Sequence, residues 1–167
     1  MICITTVSFG QSVDNKIQHL LHPQKGDTNV TSELLSYGTD AIPHLIKVID
    51  VKEKGFMGFQ DPRSSFIADG TIHNSLGIRA AYVIELILAM DKESYLQKNS
   101  GRLYHYGFIV RDSEKEKLKA MENGDMKIIK ALYLKWWDHN KSKTISQLRS
   151  NWKKGNRPLL KSAFIWV

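Results

Sequence analysis

Cysteine is nearly missing from this 167-residue chain: Cys3 stands alone, which excludes any disulfide within the chain. Compact metal-ligand spacings are also missing, with no His-x-x-x-His and no Cys-x-x-Cys. The histidines (His19, His22, His44, His73, His105 and His139) are scattered. His19 and His22 lie one helical turn apart, but no nearby acid completes a ligand set. There is no Gly-x-Ser-x-Gly elbow and no phosphate-cradling glycine loop. No apolar run reaches the ~20 residues that cross a bilayer; the most apolar segment, 76–90, carries Arg79 and Glu85. No metal, cofactor or catalytic residue is therefore assigned. The last scarcity is negative charge, since residues 127–167 contain one acid, Asp138.

Against that acid stand ten Lys/Arg, whereas residues 1–126 carry fourteen bases and sixteen acids. The whole net charge of +7 thus comes from the C-terminal quarter. All four tryptophans, Trp136, Trp137, Trp152 and Trp166, lie there too. Bases interleaved with rings suit a single-strand nucleic-acid surface, where charge holds phosphates and rings stack on bases. The same composition suits an amphipathic cap whose lysines keep the fold soluble. Length, 42% hydrophobic content and 25% charge fit one globular domain.

The N-terminus leaves two readings open. Residues 2–9 are apolar or small and uncharged, and Ser8 and Gly10 occupy the −3 and −1 positions of a cleavage site before Gln11. Residues 1–10 are then the remnant of a signal peptide whose basic start is missing, and 11–167 the mature domain. That sends the protein to the periplasm or outside the cell. Alternatively residues 2–9 form a buried strand and the protein is cytoplasmic.

Helical punctuation dominates the rest. A first helix spans 13–21 and stops at Pro23 and Gly26. Thr28 or Thr31 caps a second, carrying Leu34 and Leu35, with Gly38 as its left-handed stop. Asp40 opens a third with Pro43 in its first turn, and Ile42, Leu45, Ile46 and Ile49 share one face. Residues 50–74 form a long loop containing Phe56, Phe59 and Phe66. Segment 76–90, apolar nearly all round, is a central buried helix in which Arg79 is expected to pair with Asp50 or Asp40. Residues 101–110, with Tyr104-His105-Tyr106, read as a short strand or a packed loop. Ser113 caps a charged helix to Glu122 and Asp125 caps the next, whose Ile129, Leu132, Tyr133 and Trp136 share a face. Thr144 caps the last, with Ile145, Leu148 and Trp152 inward and Gly155 as its stop; 156–167 then run extended.

Two stretches resemble a HEAT-type helical hairpin. Leu35-Ser36-Tyr37-Gly38-Thr39-Asp40-Ala41-Ile42-Pro43-His44-Leu45-Ile46 resembles the repeat's turn and first helix, and Gly77-Ile78-Arg79-Ala80-Ala81-Tyr82-Val83-Ile84 its second. The departure is the loop 50–74, where HEAT helices are joined by a few residues, and no second copy follows. The closing segment, with Trp136-Trp137, Asn140, Ser146, Leu148-Arg149, Trp152, Gly155, Arg157-Pro158-Leu159, Ser162, Phe164 and Trp166, is similar to uncharacterised exported bacterial proteins with a HEAT-like core. That resemblance implies export and brings no activity.

The expected fold is mainly α: a single-domain HEAT-like hairpin core closed by C-terminal Trp-rich helices. Trp136 and Trp152 fall in phase with the core, so the outward face is basic. The candidate binding residues are Trp137, Lys141, Lys143, Arg149, Lys153, Lys154, Arg157 and Lys161. The expected function is a non-enzymatic interaction module of the bacterial cell envelope, with an acidic protein or an anionic envelope component as partner. Nucleic-acid or polyanion binding through the same segment is the alternative. A hydrolase with His and Asp/Glu gathered near 50–74 is the third reading.

Overall fold

A computed structural model of the chain describes residues 9–22, 30–53, 75–90, 108–112, 117–119 and 124–166. Those residues are mainly helical. Helices α1 (Phe9–Leu21) and α2 (Val30–Tyr37) lead through a 3₁₀ turn (Gly38–Ala41) into α3 (Ile42–Lys47). α4 (Leu76–Ala89) follows, and α5 (Asp125–Asn140) and α6 (Ile145–Lys153) complete the helical part. Strands β1 (Phe108–Asp112), β2 (Lys117–Lys119) and β3 (Phe164–Trp166) form a small antiparallel sheet in the order β2-β1-β3. Val110 pairs with Lys119 on one side and with Phe164 on the other.

α4 is the axis of the core. Ser75 caps it, its hydroxyl accepting from the Ile78 N–H at 3.3 Å, and residues 76–88 are all buried save Arg79. A helix apolar on every side must be covered on every side. α4 packs against α2, α3 and α6, while α3 also meets α1 and α5. One continuous cluster results, running from Ile17 and Leu21 of α1 through Leu45 and Ile49 to Ile129, Tyr133, Leu148 and Phe164. α1 is further clasped to α3 by His44, whose Nε2 lies 2.9 Å from Asp14 Oδ1 and whose Nδ1 lies 3.4 Å from Gln18 Nε2.

The start of α4 is bonded directly to the chain leaving α3. Leu76 N–H donates to the Glu53 carbonyl at 2.7 Å and Gly77 N–H to that of Val51 at 3.1 Å. Gly77 permits this approach: a Cβ there would overlap the Ile49 carbonyl oxygen and lie 2.6 Å from its carbon. Ala80 and Ala81, both fully buried, keep the helix slim where its neighbours press on it.

Several expected boundaries hold. Gly38 has φ +54° and Gly155 φ +92°, the left-handed stops, and Pro43 sits in the first turn of α3. Others need correction. Thr31 is buried inside α2 and does not cap it. Asp40 lies in the 3₁₀ turn, so α3 begins at Ile42 without a side-chain cap. Asp125 is the first residue of α5 and Gly124 its N-cap. Where a charged helix was expected after Ser113, Lys117–Lys119 is a strand paired to β1; Lys-Leu-Lys alternates with period two, and cross-strand bonding overrides helical propensity. Residues 158–163 turn before β3 and do not run extended. Residues 1–8, the loop aromatics Phe56, Phe59 and Phe66, and Tyr104-His105-Tyr106 lie outside the described residues. Among the described residues no helix is long and apolar enough to cross a membrane.

Gly77→Ala should therefore destabilise the protein by about 3 kcal/mol, because backbone must move to admit the methyl group. Gly124→Ala, where nothing lies within 4 Å of the added carbon, should change little. Urea unfolding midpoints of the two variants test the contrast.

Candidate functional site

The two C-terminal helices have an inner and an outer side, and the inner side is built first. Met126, Ile129, Tyr133, Trp136 and Asn140 recur every three or four residues and form the buried face of α5. α6 starts with a capping box: Thr144 Oγ1 accepts from the Gln147 N–H at 3.3 Å, and Gln147 Oε1 accepts from the Thr144 N–H at 2.9 Å. This fixes the phase in which Leu148 is buried and Trp152 half-buried.

Both helices converge on one carboxyl group. Glu85, in the middle of α4, is only 3% exposed. Tyr133 Oη donates to its Oε1 at 2.7 Å and Trp152 Nε1 donates to its Oε2 at 2.6 Å. An indole N–H can only donate, so Oε2 is an acceptor in this bond. A buried carboxyl costs several kcal/mol unless its oxygens are hydrogen-bonded. Sequence reading named no partner for Glu85. The available signal was this: a buried Tyr or Trp needs an acceptor, and one acid lies inside the most apolar helix.

Two bases of the tail serve the same inner side. Arg149 Nε donates to the Ile87 carbonyl at 3.1 Å and its Nη2 to that of Met90 at 2.9 Å, closing the C-terminal end of α4. Lys130 donates to the Lys47 carbonyl at 2.6 Å and to Asp50 Oδ1 at 2.7 Å, closing the end of α3. Helix C-termini carry unbonded carbonyls and partial negative charge, which is what these cations meet. The Lys130 bond also lowers the Asp50 pKa below the usual carboxylate value. Asp50 thus pairs with Lys130. Burial lowers the Arg79 pKa from its ordinary value.

The outer side holds the remaining candidates. The Trp137 ring lies 6.3 Å from that of Trp136 at a 32° tilt and packs on the edge of the core. Lys141 pairs with Asp138 at 3.1 Å, and Lys143 donates to Asn140 Oδ1 at 2.7 Å. These three are tied to the end of α5. Four others lie at the end of α6 and in the segment after it, where the chain reverses through a Schellman turn. The Gly155 N–H donates to the Trp152 carbonyl at 3.0 Å and the Asn156 N–H to that of Asn151 at 3.0 Å, with Gly155 left-handed. The reversed chain then lays Arg157 over Trp152, its guanidinium carbon 4.2 Å from the ring centroid. Pro158 and Leu159 are buried and pin the turn. Successive bonds from Leu160 N–H to Arg157 and from Ser162 N–H to Leu159 keep Lys161 close behind.

The structure therefore divides the candidate set. Arg149 is engaged as a helix clamp, and Trp137 is packed on the core edge. Lys153, Lys154, Arg157 and Lys161 are exposed, with no ion pair to any described residue. Among the described residues no group of three or more His, Cys, Asp or Glu is placed to hold a metal ion. Comparison with known protein families, with curated proteins and with solved structures finds no match to this chain.

Tyr133→Phe should cost about 1–3 kcal/mol, because it deprives a buried carboxyl oxygen of a donor. Lys153→Ala, an exposed change, should stay within about 0.5 kcal/mol. Equal effects of the two on the urea midpoint would show that the phenol bond contributes nothing.

Proposed function

We propose that this protein is a non-enzymatic interaction module whose cationic outer face, Lys153, Lys154, Arg157 and Lys161, receives an acidic protein partner. One observation carries the reading: four cations within nine residues stand exposed, with no ion pair to a described residue, while the Trp152 ring beneath Arg157 is engaged with the core. In this reading the helical pair α3–α4, HEAT-like in sequence, is a rigid scaffold, and repeat-type helical pairs present side chains on a surface. If the protein is exported, the partner is an acidic envelope protein or another anionic envelope component. Cleavage before Gln11 would have to precede folding, because α1 runs through that position.

The nucleic-acid alternative has less to draw on. Stacking needs free ring faces. The Trp136 ring is buried, and one face of Trp152 is covered by Arg157.

A polyglutamate matrix tests the proposal against a charge-matched control. The wild-type chain should be retained at low salt and released as ionic strength nears ~1 M, where the Debye length falls to about 3 Å. Lys153→Glu/Lys154→Glu should elute much earlier than Lys127→Glu/Lys135→Glu, which makes the same charge change on the exposed face of α5. Equal elution of the two doubles would mean that net charge alone binds and would overturn the assigned face. Tighter retention of the wild type on DNA would favour the alternative.

A further inference from the structure

We infer that Arg157 is the anchor of this face: a guanidinium held over Trp152 as a pre-positioned receptor for one side-chain carboxylate of an acidic peptide. The inference rests on the acidic-partner reading above and adds to it a specific residue and a specific chemistry.

Three observations combine. Arg157 is exposed, and no hydrogen bond or ion pair ties its guanidinium to a described residue, so its donors are available. Its position is nonetheless fixed, because the guanidinium carbon rests 4.2 Å above the Trp152 ring. The ring is fixed in turn, because its Nε1 donates at 2.6 Å to the buried carboxyl of Glu85. A free arginine side chain loses rotamer freedom when it grips a ligand. Here part of that freedom is already removed by the contact with the Trp152 ring.

The geometry selects the ligand. A guanidinium carries its N–H donors around the edge of a rigid plane. Two parallel N–H donors match the two oxygens of a carboxylate, a bidentate pairing that an ammonium cannot reproduce. Lys153 and Lys154 at the end of α6 and Lys161 beyond the turn have no such stack among the described contacts. They supply attraction without orientation. The site thus pairs one directional contact with several diffuse ones, and an extended acidic segment is the ligand that uses both.

The Schellman turn makes the stack possible. Gly155, at φ +92°, reverses the chain so that Arg157 returns to the ring one helical turn behind it. Buried Pro158 and Leu159 hold that return in place.

The test is fluorescence anisotropy with a labelled glutamate-rich decapeptide, comparing wild type, Arg157→Lys and Lys135→Arg. Arg157→Lys preserves charge but removes the planar fork and should weaken binding roughly tenfold, with the melting temperature little changed. Lys135→Arg, outside the face on α5, should bind as the wild type does. Equal affinity of Arg157→Lys and wild type would overturn the anchor while leaving the acidic-partner face standing. Failure of the wild type to bind the peptide would overturn both. An oligonucleotide of equal charge bound more tightly than the peptide would overturn the carboxylate assignment. A measurement on the unmodified chain guards against a variant that folds poorly: the Arg157 Nε–H NMR signal should shift on adding the peptide. An unmoved signal at saturation would count against the anchor.

Discussion

The carboxyl group of Glu85 is the point on which the arrangement of the C-terminal half depends. It lies inside the most apolar helix of the chain, and its oxygens are met by a phenol from α5 and an indole from α6. Apolar contact alone is non-directional and would tolerate helices rotated or slid along one another. A buried acceptor does not, because a helix that slips leaves an oxygen without its donor. Two helices of different phase are thereby fixed to a third through one residue. Trp152, pinned on its inner edge, becomes the support for Arg157, so the outer face inherits its geometry from the core.

The positive charge of the tail does two kinds of work. Lys130 and Arg149 turn inward and close the carbonyl ends of α3 and α4, where the helix field favours a cation. Their bonds tie the last helices to backbone, which complements the side-chain bonds at Glu85. Lys153, Lys154, Arg157 and Lys161 remain outside. Basicity that looks uniform in the sequence is divided between fastening the fold and facing solvent.

Local features were legible in the sequence. Thr144, Gly155, Gly38 and Pro43 act through neighbours a few residues away, and the Ile129–Tyr133–Trp136 face follows from helical period alone. What was not legible is contact between distant parts of the chain. The Glu85 acceptor faces donors 48 and 67 residues away, and Arg149 reaches carbonyls 62 and 59 residues back. Nothing in periodicity encodes such pairings. The same limit explains why Lys130 holds Asp50 and why Lys117–Lys119 is a strand, both decided by a partner from elsewhere in the chain. Within the basic segment, residue type could not separate the clamp Arg149 from the exposed cations beside it.

The indole N–H of Trp152 offers the most direct test of the Glu85 junction. Its NMR signal, assigned from the peak lost in Trp152→Phe, should exchange slowly with solvent in the wild-type protein. In Glu85→Gln, where a carboxamide N–H₂ replaces one acceptor, the signal should move and exchange faster. A Trp152 indole that exchanges as fast as an exposed one, and does not respond to Glu85→Gln, would contradict the central place given to this carboxyl group.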